Sequence, residues 1–427
     1  MSTVSTQLSH VYPLGARVNA RGHLEIGGCD AVELAREFGT PAFIVAEDDL
    51  RARARAFADG LGARHPDGDV LFASKAFPCT AVYRVLAEEG LACDVASGGE
   101  LALALSGGFD PRRIYLHGNA KSRDELSEAL DAGVGHIVLD SFDDFDRLEQ
   151  VAAGAGRVQE VLIRVNPNVA GETHDAISTG QADSKFGFGL ADAPRAIERA
   201  TETPHLRLVG LHCHIGSQLL DLQPFRDAIE AIAPLGEFDV YNVGGGLGVA
   251  YTADTEPPSI ADYVATIADA AHVSLGPGKR LLIEPGRALV ANSTVTLYTV
   301  QTVKRNVSTW VAVDGGMSDN LRPMLYGSRY EAAIADRMLA GGPADLVACH
   351  VAGKHCESGD VIVRDALLPD PAPGDTVVTP ATGAYGHAMA NNYNGVPRPP
   401  VVFCRDGEAR VVVRRETYDD LAGRDVP

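Results

Sequence analysis

Val70-Leu71-Phe72-Ala73, Ala92-Cys93-Asp94-Val95, Ile114-Tyr115-Leu116 and His136-Ile137-Val138-Leu139 are four short apolar runs at one spacing: Leu71, Cys93, Tyr115 and Ile137 lie 22 residues apart. Each run has strand length and ends in small, polar or charged residues. The stretches between them, such as residues 80–89, 99–105 and 122–130, carry Ala, Leu and Glu as surface helices do. Strands alternating with helices predict parallel pairing through crossovers. The same grammar continues outward through residues 160–165, 208–214, 240–243 and 281–283, so that eight strand–helix units result. Eight units predict a (β/α)8 barrel of the TIM type over residues 48–294, close to the roughly 250 residues usual for it. An open, doubly wound sheet is the alternative.

The flanks read differently. Residues 295–304, 309–313, 344–351, 360–366, 375–378 and 409–414 are rich in Val and Thr, with Gly, Asp and Pro between them. They predict an all-β domain built from residues 295–427 together with residues 1–47, where a turn at Gly22 separates strand-like runs in residues 16–26.

The 427 residues are 45% hydrophobic and 22% charged, as in an ordinary globular protein. A formal net charge of -20 repels phosphate backbones and anionic lipid, which argues against nucleic-acid and membrane partners. Seven scattered cysteines form no disulfide framework, and residues 1–7 lack the basic and apolar regions of a signal peptide. A cytoplasmic protein is expected.

In such barrels reactive groups gather where strands end, at the C-terminal face. The first strand ends in Ser74-Lys75-Ala76, in a chain with six lysines. Lysine there can form a Schiff base with a carbonyl cofactor, or simply sit in a salt bridge at the barrel mouth. The seventh and eighth strands end in Gly244-Gly245-Gly246-Leu247-Gly248 and Glu284-Pro285-Gly286-Arg287. Glycines there let backbone amides approach a phosphate, although three glycines can equally make a tight turn. His212-Cys213-His214-Ile215-Gly216-Ser217 closes the sixth strand. Alternation puts His212 and His214 on one side and Cys213 on the other, with no further ligand at a familiar spacing, so no metal is expected. An imidazole stacked on a planar cofactor, with Ser217 on its phosphate, uses the same atoms. Glu284 facing a pyridine nitrogen would keep that ring protonated and electron-poor.

Taken together, Phe72-Ala73-Ser74-Lys75-Ala76-Phe77, His214-Ile215-Gly216-Ser217, the 244–248 glycine run, Glu284-Pro285-Gly286-Arg287 and Cys356-Glu357-Ser358-Gly359-Asp360 resemble the alanine-racemase-like (fold-type III) pyridoxal-phosphate decarboxylases. The resemblance covers nearly the whole chain. It extends to Ile177-Ser178-Thr179-Gly180 with Asp183-Ser184-Lys185-Phe186-Gly187-Phe188, to residues 313–320 with Arg322 and Tyr326, and to Gly383-Ala384-Tyr385-Gly386. It implies pyridoxal 5'-phosphate on Lys75, with His214 stacked on the ring and Glu284 at its nitrogen. The phosphate would rest on Ser217, Gly244, Gly245, Gly246, Gly286 and Arg287, with Tyr385 closing on the cofactor. Substrate would meet Arg287, Arg322, Tyr326, Glu357 and Tyr385. Cys356 resembles the family's proton donor, and with Glu357 it would come from the other subunit of a homodimer. His387-Ala388-Met389 departs from the small residues usual after that tyrosine.

Within the family the resemblance is nearest to members that decarboxylate meso-2,6-diaminopimelate to L-lysine. Such a substrate carries a second amino-carboxylate, for which Arg322 with Arg287 and Glu357 supply a cationic fork and an anion. Decarboxylation of arginine, ornithine or carboxynorspermidine is the alternative. A racemase is less consistent with Glu284, because alanine racemases place an arginine at the ring nitrogen. A catalytically silent relative has no reason to keep Lys75, Cys356 and Glu284 together.

Overall fold

Asp69–Ala73, Ala92–Val95, Ile114–Leu116, His136–Leu139, Gln159–Asn166, Leu206–His212, Val240–Asn242 and Arg280–Ile283 form eight strands, each paired in parallel with the next in chain order. The computed structural model describes residues 8–169, 184–339 and 345–426; the Ile177-Ser178-Thr179-Gly180 motif lies outside them. The eighth strand also pairs with the first, through Leu282 opposite Asp69 and Ile283 opposite Val70. That contact closes the barrel and removes the open-sheet alternative. The strands are apolar through their middles because both faces are covered there, as parallel sheets require. Helices fall between them, including Thr80–Glu88, Gly98–Gly107 and Arg123–Ala132. Ser122 caps the last of these, its hydroxyl accepting from the Glu125 amide while the Glu125 side chain takes the Ser122 amide.

The 22-residue spacing marks strands but not one face. Leu71 pairs with Ala92, Cys93 with Ile114 and Tyr115 with His136, so partners are 21 residues apart. A step of 22 therefore passes one residue beyond the partner and onto the opposite face. Leu71 and Tyr115 accordingly join Ala92, Val138, Leu162, Val240 and Leu282 in one interior cluster, while Cys93 and Ile137 lie outside it.

The chain divides into two compact units, Arg53–Gly248 with Pro257–Ala288, and Met1–Ala52 with Val249–Glu256 and Leu289–Pro427. In the second unit the spine is the 12-residue strand Thr294–Arg305, which pairs antiparallel with Thr309–Val313, Thr376–Thr379 and Ala42–Ala46. Leu346–Ala352 and Val361–Pro369 extend one side, Val401–Arg405 and Glu408–Val413 the other. The N-terminal contribution to this sheet is Ala42–Ala46 and not residues 16–26. Ala42-Phe43-Ile44-Val45-Ala46 is buried throughout and suits a central strand, whereas Arg17–Val18, Leu24–Ile26 and Cys29–Asp30 make a small antiparallel sheet of their own. Leu24 still donates its amide to the Ala335 carbonyl at 2.8 Å, which ties that small sheet to the same unit.

Candidate active site

Two residues beyond the interior apolar layer, alternation returns to the same side of each strand. The residues found there are Asp94, His117, Asp140, Arg164, His212, Asn242 and Glu284, one from each strand after the first, and all are buried. A barrel interior that is apolar at mid-height thus becomes polar at the C-terminal strand ends. Of this ring only His212 and Glu284 stood out in the sequence, although counting two residues past Ala92, Tyr115, Val138, Leu162, Val240 and Leu282 finds every member but His212, whose strand is irregular between Leu208 and Gly210.

Glu284 is the centre of the ring. Its Oε1 accepts from Asn242 Nδ2 at 2.7 Å and lies 3.0 Å from His117 Nε2, and its Oε2 lies 3.3 Å from His212 Nε2. Burial opposes ionisation, but the two imidazoles overcome it and hold the Glu284 carboxyl well below the usual carboxylate range. Burial in turn pushes His212 down to about 4, so at neutral pH it serves as an uncharged donor. His212, His117 and Glu284 place three ligand-type atoms within 4.8 Å of one another, a gathering of strands three, six and eight that no sequence spacing reveals. Asn242 and His212 hydrogen-bond to the two carboxylate oxygens, and His117 Nε2 stands 3.0 Å from Oε1. Asp94, next to it, is raised well above its ordinary value by burial and by the Glu284 charge, with Lys75 acting in the opposite direction.

Lys75 sits exposed in the single turn Ser74–Ala76 that follows the first strand. The turn is anchored by Ser74 Oγ, which donates to Glu100 Oε2 at 2.6 Å, while the same oxygen takes the Ala96 amide. His214, held well below its ordinary pKa by burial and by the Lys75 and Arg164 cations, is a neutral ring. The Gly245 amide donates to His214 Nδ1 at 3.2 Å, and the Gly244 amide to Asn242 Oδ1 at 3.0 Å. Those two glycines therefore orient the neighbouring side chains. A Cβ on Gly245 would lie 2.0 Å from the Glu284 carbonyl, and Gly246 has φ +126°, so larger residues cannot replace them. Arg287, buried, donates to Ser217 Oγ at 2.7 Å, and Gly286 packs against Ala73. All the barrel residues singled out in the sequence thus stand at C-terminal strand ends.

The remaining candidates belong to the second unit. Arg322 opens the short helix Arg322–Tyr326 and is only 4% exposed. Its guanidinium carbon lies 4.2 Å from the ring centroid of Tyr251 and 5.5 Å from that of Tyr330, and it donates to the Tyr330 hydroxyl. Its Nε has no hydrogen-bond partner and no carboxylate pairs with it among the described residues. Tyr385 is close enough to influence the Arg322 charge and has φ +63°, a strained setting for a tyrosine. Cys356 and Glu357 are exposed in the turn that ends at Asp360. The buried Asp360 carboxylate accepts from the Met317 amide at 2.7 Å, the His355 amide at 2.9 Å and His355 Nδ1 at 2.7 Å, fastening that turn. Gly359 packs beside Met324, which brings the turn next to the Arg322 helix.

A closed parallel barrel with an exposed lysine after strand one, a buried anion at strand eight and glycine turns at strands seven and eight defines an enzyme class that grips a phosphorylated aromatic cofactor. Residues 47–291 match the family described as "Pyridoxal-dependent decarboxylase, pyridoxal binding domain". The chain is 48% identical to the diaminopimelate decarboxylase of Actinosynnema pretiosum subsp. auranticum, over 97% of this chain and 95% of that one. It is 45% identical to that of Bacillus subtilis (strain 168), over 96% and 97%. A solved structure of diaminopimelate decarboxylase from M. jannaschii in complex with L-lysine superimposes with a TM-score of 0.89 at 32% identity, covering 96% of this chain and 98% of the other. The chain belongs to the diaminopimelate decarboxylase family of pyridoxal-dependent decarboxylases.

Proposed function

We propose that the chain removes one carboxyl group from meso-2,6-diaminopimelate, releasing L-lysine and CO2. The observation that carries this substrate is Arg322, a buried cation without a carboxylate partner among the described residues. Such a group is costly unless an anion arrives, and the distal carboxylate of diaminopimelate is that anion. Arginine and ornithine have no carboxylate to offer it.

The barrel residues fit pyridoxal 5'-phosphate. A carboxylate offers about four accepting directions, and the three contacts on Glu284 leave one for a ring nitrogen. Ser217, Arg287 and the glycine turns supply hydrogen-bonding groups for the phosphate, while neutral His214 suits stacking on the ring. When bound, the cofactor supplies a carbonyl that captures an amino group and an electron-poor ring that accepts the electron pair left as CO2 departs. Lys75 would hold the cofactor through its side-chain amine. Glu284 keeps the ring nitrogen protonated. Arg322, with Arg287, Tyr326 and Tyr385, orients the substrate, and Glu357 takes the distal ammonium. Cys356 delivers a proton to the carbon that has lost CO2. Cys356 and Glu357 act in this reading from the partner subunit of a homodimer, which suits their exposure in a turn.

All seven cysteines are free, which favours a reducing, cytoplasmic setting. Among the described residues no helix is long and apolar enough to cross a membrane. The acidic balance argues against nucleic-acid partners.

The test incubates purified protein with pyridoxal phosphate and meso-diaminopimelate, measuring CO2 and L-lysine beside parallel assays on arginine and ornithine. Lysine forms from diaminopimelate alone. Turnover of arginine or ornithine without lysine release would reject the substrate. Lys75→Ala removes the visible band of the bound cofactor and the activity, and a surviving band means that another lysine holds the cofactor.

A further inference from the structure

Glu284 receives more than a carboxylate needs in order to face one ring nitrogen. Among the described residues Oε1 accepts from Asn242 and has His117 Nε2 3.0 Å away, while Oε2 meets His212 alone. The two imidazoles meet edge to face, 4.8 Å between centroids, and His117, His212, Asn242 and Glu284 are all at most 8% exposed. Water cannot take over the role of a missing donor in so closed a cluster without room being made for it. Asn242 is fixed in turn, because its Oδ1 accepts the Gly244 amide at 3.0 Å. Lone carboxylates in apolar surroundings swing between rotamers and take up protons; two hydrogen-bonding neighbours and a further imidazole nitrogen 3.0 Å away oppose both.

We propose that His117, His212 and Asn242 are positioning residues that lock the Glu284 carboxylate as an anion, with two of them crowding Oε1 and leaving Oε2 as the oxygen that meets the cofactor's ring nitrogen. This rests on the placement of Glu284 at the ring nitrogen given above. None of the three donors touches the reacting atoms. Their effect reaches the reaction only through Glu284, which makes the coupling measurable.

The experiment is a double-mutant cycle on the full-length holoenzyme. His117→Phe and His212→Phe remove the donors and keep a ring, His117→Gln and His212→Gln restore an N–H near the Nε2 position, and each is made with and without Glu284→Gln. Cofactor dissociation constant, the visible spectrum across pH, kcat and KM are read for every variant. Each Phe variant is expected to weaken cofactor binding and lower kcat by about tenfold to a hundredfold, as loss of a hydrogen bond to a charged group does. KM stays within about threefold. The spectrum becomes pH-dependent, Gln recovers most of the loss, and in the Glu284→Gln background the same Phe changes cost almost nothing further. Phe losses that persist undiminished in that background overturn the proposal, as do Phe variants equal to the parent. If Glu284→Gln alone leaves cofactor affinity, spectrum and kcat unchanged, it is the placement of Glu284 that fails. A second measurement needs no substitution: in ring-15N-histidine holoenzyme both His117 and His212 must carry a proton on Nε2, and an unprotonated Nε2 on either overturns the proposal even if the Phe variants do not fold.

Discussion

Arg322 shows how a single side chain can be kept charged in a buried place with no acid beside it among the described residues. The Tyr251 face and the Tyr330 hydroxyl offset part of the desolvation cost and fix the guanidinium plane, so that its remaining donors are preset for a carboxylate. Arg322→Leu is therefore expected to raise KM for diaminopimelate by about tenfold to a hundredfold, with a smaller change in kcat. Tyr330→Phe, which removes one hydrogen bond to the fork, should raise KM by about three- to tenfold. Steady-state kinetics on both variants decide this; an unchanged KM in Arg322→Leu would mean that Arg322 does not meet the distal carboxylate. The identity of Arg322 as a candidate was legible through its surrounding motif. Tyr251 and Tyr330, which hold it, come from 71 residues upstream and 8 downstream, and nothing in the local pattern joins them.

At the scale of elements, the turn bearing Cys356 and Glu357 owes its shape to Asp360. One carboxylate ties the turn to the residue 315–317 loop, and Gly353 is pressed against it so closely that a Cβ would lie 2.1 Å from Oδ2. Asp360→Ala leaves the Met317 and His355 amides without their acceptor, at a cost of about 1–3 kcal/mol each in a buried setting. We expect a lowered unfolding midpoint together with a fall in kcat of about tenfold or more. Thermal unfolding and kcat measured on the same preparation check both, and a destabilised variant with full kcat would separate Asp360 from the positioning of Cys356. Strands were legible where composition and turns agreed: Thr309–Val313 was read to the residue, and the 12-residue spine to within one at each end. Val401–Arg405 was missed, although Asp406-Gly407 after it is a hairpin signal and both residues have positive φ. Ala42–Ala46 was missed because a five-residue buried run next to a helix carries no alternation to read.

Over the whole molecule, buried titratable groups set the response to acid. Burial pushes His136, His212 and His387 down to about 4, below the ordinary value near 6.5. Between those values the unfolded chain binds protons that the folded chain refuses, so the stability they represent is lost as the pH falls from about 6.5 to about 4. Asp319 acts in the opposite sense. Burial raises its carboxyl to about 7, so its contribution is lost as the pH rises from about 4 to about 7. His214 acts with these histidines and Asp94 with Asp319, so with four groups against two, urea midpoints should fall between about pH 7 and about pH 5. Asp319→Asn should steepen that fall and His387→Asn should flatten it; a midpoint that rises towards acid would contradict the balance.

Several properties follow from the sequence alone, because they depend on local order. Short apolar runs and intervening helices repeat often enough to predict a barrel, Val- and Thr-rich flanks predict a sheet, and strand-end motifs name Lys75, His214, Ser217, Glu284 and Arg287. The tertiary structure decided what those residues meet. His117, His212 and Asn242 lie on three different strands, and only closure of the barrel brings their donors onto one carboxylate. Hydrogen bonds and burial act over a few ångströms in space, and a sequence records distance only along the chain.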